Sequence, residues 1–168
     1  MEHSTEQRFL TLVEAHKGIL HKVAKLYIDT PEDREDLHQE IIIQLWKSFG
    51  NFKGESEFSS WMYRVAINTA ISFFKKEKRR NDVISYDQVK EPESENYDGE
   101  KDRQLEIFYR AVHQLTAVEK ALIFYYMEGL SHQTIGLQLG ISEGNARVKL
   151  NRTKEKLQNI IKKTGYES

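Results

Sequence analysis

The sequence predicts an all-α protein built as two small helical domains, residues 1–80 and 104–168, joined by a flexible acidic linker over residues 81–103. Three observations predict this. Apolar residues recur at steps of three and four on both sides of the linker, and no stretch alternates β-branched and polar residues as a strand does. The third is the linker itself, which holds Pro92, Gly99, several Ser and Asn, and only scattered hydrophobes.

In the first domain, Ser4 and Gln7 form a capping box ahead of a face made by Phe9, Leu12, Val13, Ile19, Leu20, Val23, Leu26 and Tyr27. Thr30 and Pro31 offer an N-cap and an N1 proline. Leu37, Ile41, Leu45 and Phe49 follow at helical spacing, with Gly50 as the stop. After a loop from Gly50 to Ser60, where Ser56 is an expected N-cap, a third helix runs from about Phe58 to Lys78, with Phe58, Trp61, Val65 and Phe73 inward.

The second domain has tighter punctuation. A helix near Leu105 to Leu115 is followed by a Thr116/Glu119 capping box and a helix that ends at Gly129. Ser131 caps a short helix, Gly140 breaks it, and Ser142 caps a long one on which Ala146, Leu150, Thr153, Leu157 and Ile160 form a seam. Two helices with a glycine turn between them make a helix-turn-helix, whose second helix enters the DNA major groove through its N-terminal residues. Here those are Asn145, Arg147, Lys149, Asn151 and Arg152, all off the seam.

Charge supports that assignment. The net charge of -1 conceals segregation: residues 142–163 carry seven basic and two acidic side chains, while residues 81–104 carry three and eight. A second basic run, Lys75, Lys76, Lys78, Arg79 and Arg80, closes the first domain. The absence of cysteine excludes disulfides, thiolate metal sites and a thiol nucleophile. No apolar run approaches a membrane span and the N-terminus has no signal-peptide pattern, so a soluble, cytoplasmic chain is expected.

Longer strings carry a family resemblance. Asp36-Leu37-His38-Gln39-Glu40, Leu45-Trp46, Phe52-Lys53-Gly54-Glu55-Ser56-Glu57-Phe58, Trp61-Met62-Tyr63-Arg64-Val65-Ala66 and Asn68 resemble region 2 of a bacterial sigma-70 factor. Gly129-Leu130-Ser131, Ile135-Gly136 and Leu139-Gly140-Ile141-Ser142-Glu143-Gly144 resemble region 4. Order and separation resemble the extracytoplasmic-function (ECF) subgroup, which keeps only these two regions. The chain departs from the family at Gly136, where alanine is usual, at His132-Gln133, and at Asn145-Ala146-Arg147-Val148-Lys149.

The resemblance implies a protein without catalysis or cofactor that binds core RNA polymerase through its β and β′ subunits and directs it to promoter DNA. It admits an anti-sigma factor as a further partner, with no membrane insertion. Asp33, Asp36, Gln39, Glu40 and Lys47 would dock the polymerase. Lys53, Gly54, Ser56 and Asn68 would capture an unstacked minus-10 base, with Lys75, Lys76, Lys78, Arg79 and Arg80 on the phosphates. Asn145, Arg147, Lys149, Asn151 and Arg152 would meet the minus-35 duplex.

Alternatives are fewer. Glu35 and His38 have the spacing of a di-iron ligand pair, but the sequence lacks a second such pair. No nucleophile elbow or Gly-rich phosphate loop suggests an enzyme. The remaining rival is a free-standing helix-turn-helix repressor or activator, which would bind its operator without polymerase.

Overall fold

The computed structural model describes residues 2–54, 57–84 and 99–164, without the side chains of Glu2, His3 and residues 81–84. The chain divides into two compact units, Met1–Tyr86 and Asp87–Ser168.

The first unit contains α1 (Glu2–Ala15), α2 (Lys17–Tyr27), α3 (Pro31–Ser48), a single 3-10 turn (Phe49–Asn51) and α4 (Phe58–Ile84). Its core forms where α2, α3 and α4 pack on one another. Leu20 and Val23 of α2, Leu37, Ile41 and Leu45 of α3, and Met62, Ala66 and Ala70 of α4 are all fully buried there. Each large aliphatic side chain so buried contributes about 1.5–3 kcal/mol. Thr30 caps α3 by accepting from Asp33 N at 3.3 Å, with Pro31 at N1. Arg34 then reaches back from α3, donating from Nε to Ile28 O at 2.9 Å and from Nη2 to Asp29 O at 3.1 Å, and so satisfies carbonyls left open beyond α2.

Several expectations need correcting. The face from Phe9 to Tyr27 is divided between two helices, because the His16 ring Nδ1 donates to Leu12 O at 2.8 Å while His16 N bonds Val13 O at 3.1 Å. That side chain takes the carbonyl the next helical amide would use, and α1 ends. Ser4 lies inside α1 and is not its cap. Gly50 does not stop α3; it sits within the 3-10 turn that follows. The inward seam of α4 is Phe58, Met62, Ala66, Ile67 and Ala70, with Trp61, Val65 and Phe73 only half-buried at its flanks. Small alanines form the close helix contact, so the largest side chains were a poor guide to the buried direction.

The helices also extend into the expected linker. α4 continues through Ile84 because nothing from Asn81 to Ile84 breaks a helix, and α5 begins at Glu100. Glu100 and Asp102 lie in the first turn of α5, where the helix dipole favours negative charge; acidity that suggests a linker is here a helix start. The remainder of the linker, residues 85–98, lies outside the described residues, as does Ser56.

The second unit contains α5 (Glu100–Val112), α6 (Ala117–Met127), α7 (His132–Leu139) and α8 (Glu143–Lys163). α6 is its centre, with Ala121, Leu122, Ile123, Phe124 and Tyr125 all buried. Thr116 and Glu119 make the expected capping box, and Ser131 and Ser142 cap α7 and α8 by accepting from Thr134 N and Asn145 N, each at 3.1 Å. Gly140 ends α7 with φ +72, and Ile141 N turns back to Gly136 O at 2.9 Å. The approach is so close that a Cβ on Gly136 would lie 2.7 Å from Ile141 O. Ala146, Leu150, Thr153 and Leu157 of α8 face this core, and the Thr153 hydroxyl donates to Lys149 O at 2.8 Å, which removes the penalty of burying it.

Candidate nucleic-acid interface

Three surfaces collect the residues singled out from the sequence. On α3, Asp36, Glu40 and Lys47 stand four and seven residues apart and share one side of the helix, away from Leu37, Ile41 and Leu45. Asp36, Gln39 and Lys47 are exposed, whereas Asp33 and Glu40 are half-buried. Asp33 is engaged locally, its Oδ2 accepting the Thr30 hydroxyl at 2.8 Å, and Glu40 Oε1 accepts from Gln44 Nε2 at 3.0 Å. Ile43, which motif reading passed over, falls in the middle of this polar side and is 45% exposed. Its spacing of seven from Asp36 and four from Lys47 was the available signal. An exposed isoleucine ringed by charge has the composition of a protein contact centre with a polar rim.

Beside this surface, the His38 ring stacks on His21 of α2 with centroids 5.4 Å apart and planes at 29°. Burial lowers the His38 pKa below its ordinary value of 6.5, the neighbouring His21 lowers it further, and Glu35 partly opposes both.

The second surface joins the loop after the 3-10 turn to the outer side of α4. Phe49, Phe52, Phe58 and Trp61 interlock, with Phe52 to Trp61 centroids at 5.3 Å and Phe52 to Phe58 at 5.6 Å. Phe9 joins from α1, 5.2 Å from Phe49 and 5.0 Å from Trp46. These rings fix both ends of the loop that carries Lys53 and Gly54, both exposed, with Gly54 at φ +75. Asn68 is exposed on α4 and lies in one line with Arg64, Lys75 and Arg79, at steps of four, seven and four. Lys76, Lys78 and Arg80 are exposed as well, but helical geometry turns them to other sides. The basic run therefore spreads over little more than half of the helix circumference, and only Lys75 and Arg79 from it extend the Asn68 line. Arg64 is a candidate that the sequence argument placed in a motif without giving it a role.

The third surface is α8. All five expected residues are exposed and they form two flanks: Asn145, Lys149 and Arg152 on one, Arg147 and Asn151 on the other. Between them Val148 is 47% exposed. An apolar side chain so placed suits a thymine methyl, a contact that charge counting does not find. Arg147 is restrained on its flank, donating from Nε to His132 Nδ1 at 3.4 Å and pairing through Nη2 with Glu143 Oε1 at 3.5 Å.

Comparison with known proteins gives these surfaces a common origin. Residues 12–80 match the family model of sigma-70 region 2, and residues 105–157 that of sigma-70 region 4. The ECF RNA polymerase sigma-E factor of Haemophilus influenzae is 27% identical over 176 residues, covering 96% of this chain and 91% of its own. That of Escherichia coli K12 is 27% identical over 161 residues, covering 84% and 81%.

The chain belongs to the ECF subgroup of the sigma-70 family.

As an ECF sigma factor it serves RNA polymerase in transcription initiation, and its solved neighbours share its fold. The sigma factor RpoE of Bartonella quintana, solved with the anti-sigma factor NepR, is 20% identical with a TM-score of 0.67 over 94% of this chain and 96% of that one. CnrH, solved with the cytosolic domain of CnrY, is 17% identical with a TM-score of 0.64 over 94% and 89%. In the family frame, the α3 and α4 surfaces fall in region 2, and the α8 surface from Asn145 to Arg152 falls in region 4. Among the described residues no helix is long and apolar enough to cross a membrane.

Proposed function

We propose that this ECF sigma factor divides initiation among its three surfaces. The side of α3 bearing Asp36, Ile43 and Lys47 docks on the β′ clamp helices of core polymerase. The loop carrying Lys53 and Gly54, with Asn68 beside it, takes an unstacked base of the minus-10 element, and Lys75 and Arg79 hold the adjoining phosphates. The two flanks of α8 straddle base edges of the minus-35 duplex. The observation that carries this division is the alignment of Asn68 with Arg64, Lys75 and Arg79 on the exposed side of α4. A base-capturing amide continued by cations at helical intervals suits a single strand running along the helix.

The protein acts in the cytoplasm as an initiation factor and leaves the chemistry of RNA synthesis to core enzyme. An anti-sigma factor is a further partner in this proposal, supported by the solved neighbour RpoE being a complex with the anti-sigma factor NepR. Run-off transcription with core enzyme on genomic fragments tests the division. Discrete products that depend on this chain are expected, with promoter DNA bound well only when core is present. A duplex shifted equally well by the chain alone would overturn it.

A further inference from the structure

Of the α8 residues proposed above to straddle base edges, Arg147 is taken here as the one that reads a base, because it alone is held by side chains of two helices. It is the fifth residue of α8, and its partner His132 is the first residue of α7, fifteen positions earlier. The two helices are joined by the turn in which Gly136 and Ile141 almost touch, so the distance between His132 and the start of α8 has little freedom. His132 is half-buried, whereas the Arg147 side chain is 55% exposed.

A guanidinium has five N–H donors arranged in a fixed fork, and it can meet guanine O6 and N7 either along its Nε/Nη2 edge or with its Nη1/Nη2 end. Here Nε is taken by His132 Nδ1 and the adjacent Nη2 hydrogen by Glu143 Oε1. The side edge is thus committed inside the protein, and the end of the fork remains for DNA. Since Nδ1 accepts, the ring proton of His132 sits on Nε2.

We propose that His132 is a positioning residue for promoter readout: it holds Arg147 by the Nε edge so that the Nη1/Nη2 end is presented to a guanine of the minus-35 element. This rests on the assignment of Arg147 as a base reader. An exposed arginine free to rotate loses conformational freedom when it docks, and holding it beforehand reduces that loss. Glu143 shares the task, but an ion pair this exposed and 3.5 Å long is a weak restraint by itself. His132 supplies the restraint from a second helix.

The experiment measures binding of holoenzyme, core polymerase with the full chain, to a promoter fragment and to versions changed at each minus-35 base pair. Arg147→Ala, His132→Ala, His132→Asn and the double alanine variant are compared, with unfolding midpoints to confirm that each folds. Arg147→Ala is expected to flatten preference at one base pair. His132→Ala should weaken preference at the same pair by about threefold or more, the double variant should lose no more than Arg147→Ala alone, and His132→Asn, whose amide oxygen can accept in place of Nδ1, should recover most of the preference. If Arg147→Ala leaves every base preference unchanged, the base-reading assignment fails and the positioning role with it. If Arg147→Ala flattens the preference and His132→Ala does not, the positioning role alone is overturned. A uniform loss across all sequences with a smaller salt slope on His132→Ala also overturns it, by making His132 a phosphate contact.

Discussion

Glu119 of α6 and Lys156 of α8 meet at 2.8 Å across 37 residues of sequence, through the same carboxylate oxygen that accepts Thr116 N at 2.9 Å. One side chain thus closes the capping box of α6 and fastens α8 to it. Burial alone would raise the Glu119 pKa, but hydrogen bonds from Lys156 and Thr116 outweigh it and hold the carboxyl below its ordinary 4.5.

Acid stability should therefore fall in two windows. A group whose folded pKa is depressed favours the fold above its unfolded pKa, and this advantage is lost as pH drops through the folded value. For Glu119 that loss begins below 4.5 and should be absent in Glu119→Gln. His38 is also depressed, but as a base: it is more readily protonated in the unfolded chain, so stability declines as pH falls below 6.5. His38→Gln should remove that earlier decline and leave the later one. Urea unfolding between pH 3 and 8 checks both, and a profile unchanged by either substitution contradicts the assignments.

Core docking separates charge from packing. Asp36→Arg, Glu40→Arg and Ile43→Ala should each reduce co-purification with core polymerase, because their side chains occupy one side of α3 opposite the seam. Asp36 and Ile43 are exposed, and their substitution should barely move the unfolding midpoint. Leu45→Ala, from a fully buried position, should destabilise by about 2–5 kcal/mol. Undiminished co-purification of all three surface variants would place docking elsewhere.

Much of this was legible in the sequence, for reasons particular residues make plain. Thr30, Thr116, Ser131 and Ser142 cap helices as expected because an N-cap depends on a local bond over three residues. The α3 seam was legible because its large aliphatic residues recur on one side. The break at His16 was not, since it arises from a ring reaching one turn back, while Gly18, two residues on, lies inside α2. Nor was the α4 seam, where alanines are buried and larger residues flank them. Of the candidate sites, charge and motif pointed to the cations and Asn68 and passed over Ile43 and Val148, which stand out by being exposed while apolar. His132 was noticed only as a departure from the family pattern; its partner Arg147 is brought to it by the turn.

That turn should tolerate little. Gly136→Val puts branched atoms against the Ile141 carbonyl and should destabilise the second unit by about 2–3 kcal/mol, more than its loss of glycine flexibility returns. The first unit should keep its own unfolding transition in differential scanning calorimetry. A variant with wild-type stability would mean that the turn opens freely.

Promoter opening tests the α4 surface. Asn68→Ala, or alanines in place of Lys53-Gly54-Glu55-Ser56, should leave core binding and minus-35 contacts intact while reducing permanganate-reactive thymines and most run-off product. Each captured base contributes about 1–3 kcal/mol to offset unpairing, so a pre-melted minus-10 bubble should restore part of the activity. Normal opening by the loop replacement would show that strand separation is driven elsewhere.

The basic end of α4 has a thermodynamic consequence of its own. Among the described side chains of α4, Ala70 is the last that is fully buried, and Lys75, Lys76, Lys78, Arg79 and Arg80 beyond it are exposed, so packing holds these turns less than it holds the rest of the helix. Within these turns Lys75 and Arg79, and Lys76 and Arg80, repel at i,i+4, while Glu77 is the one acid among residues 75–80. Under the proposed function, phosphates that neutralise this charge would also favour the helix, and nucleic-acid binding and the final turns of α4 would be linked equilibria. Ellipticity at 222 nm should become more negative when single-stranded DNA is added at low ionic strength, and should change less once salt has already screened the repulsion. The end of α4 would then be a segment whose folding is completed by its ligand.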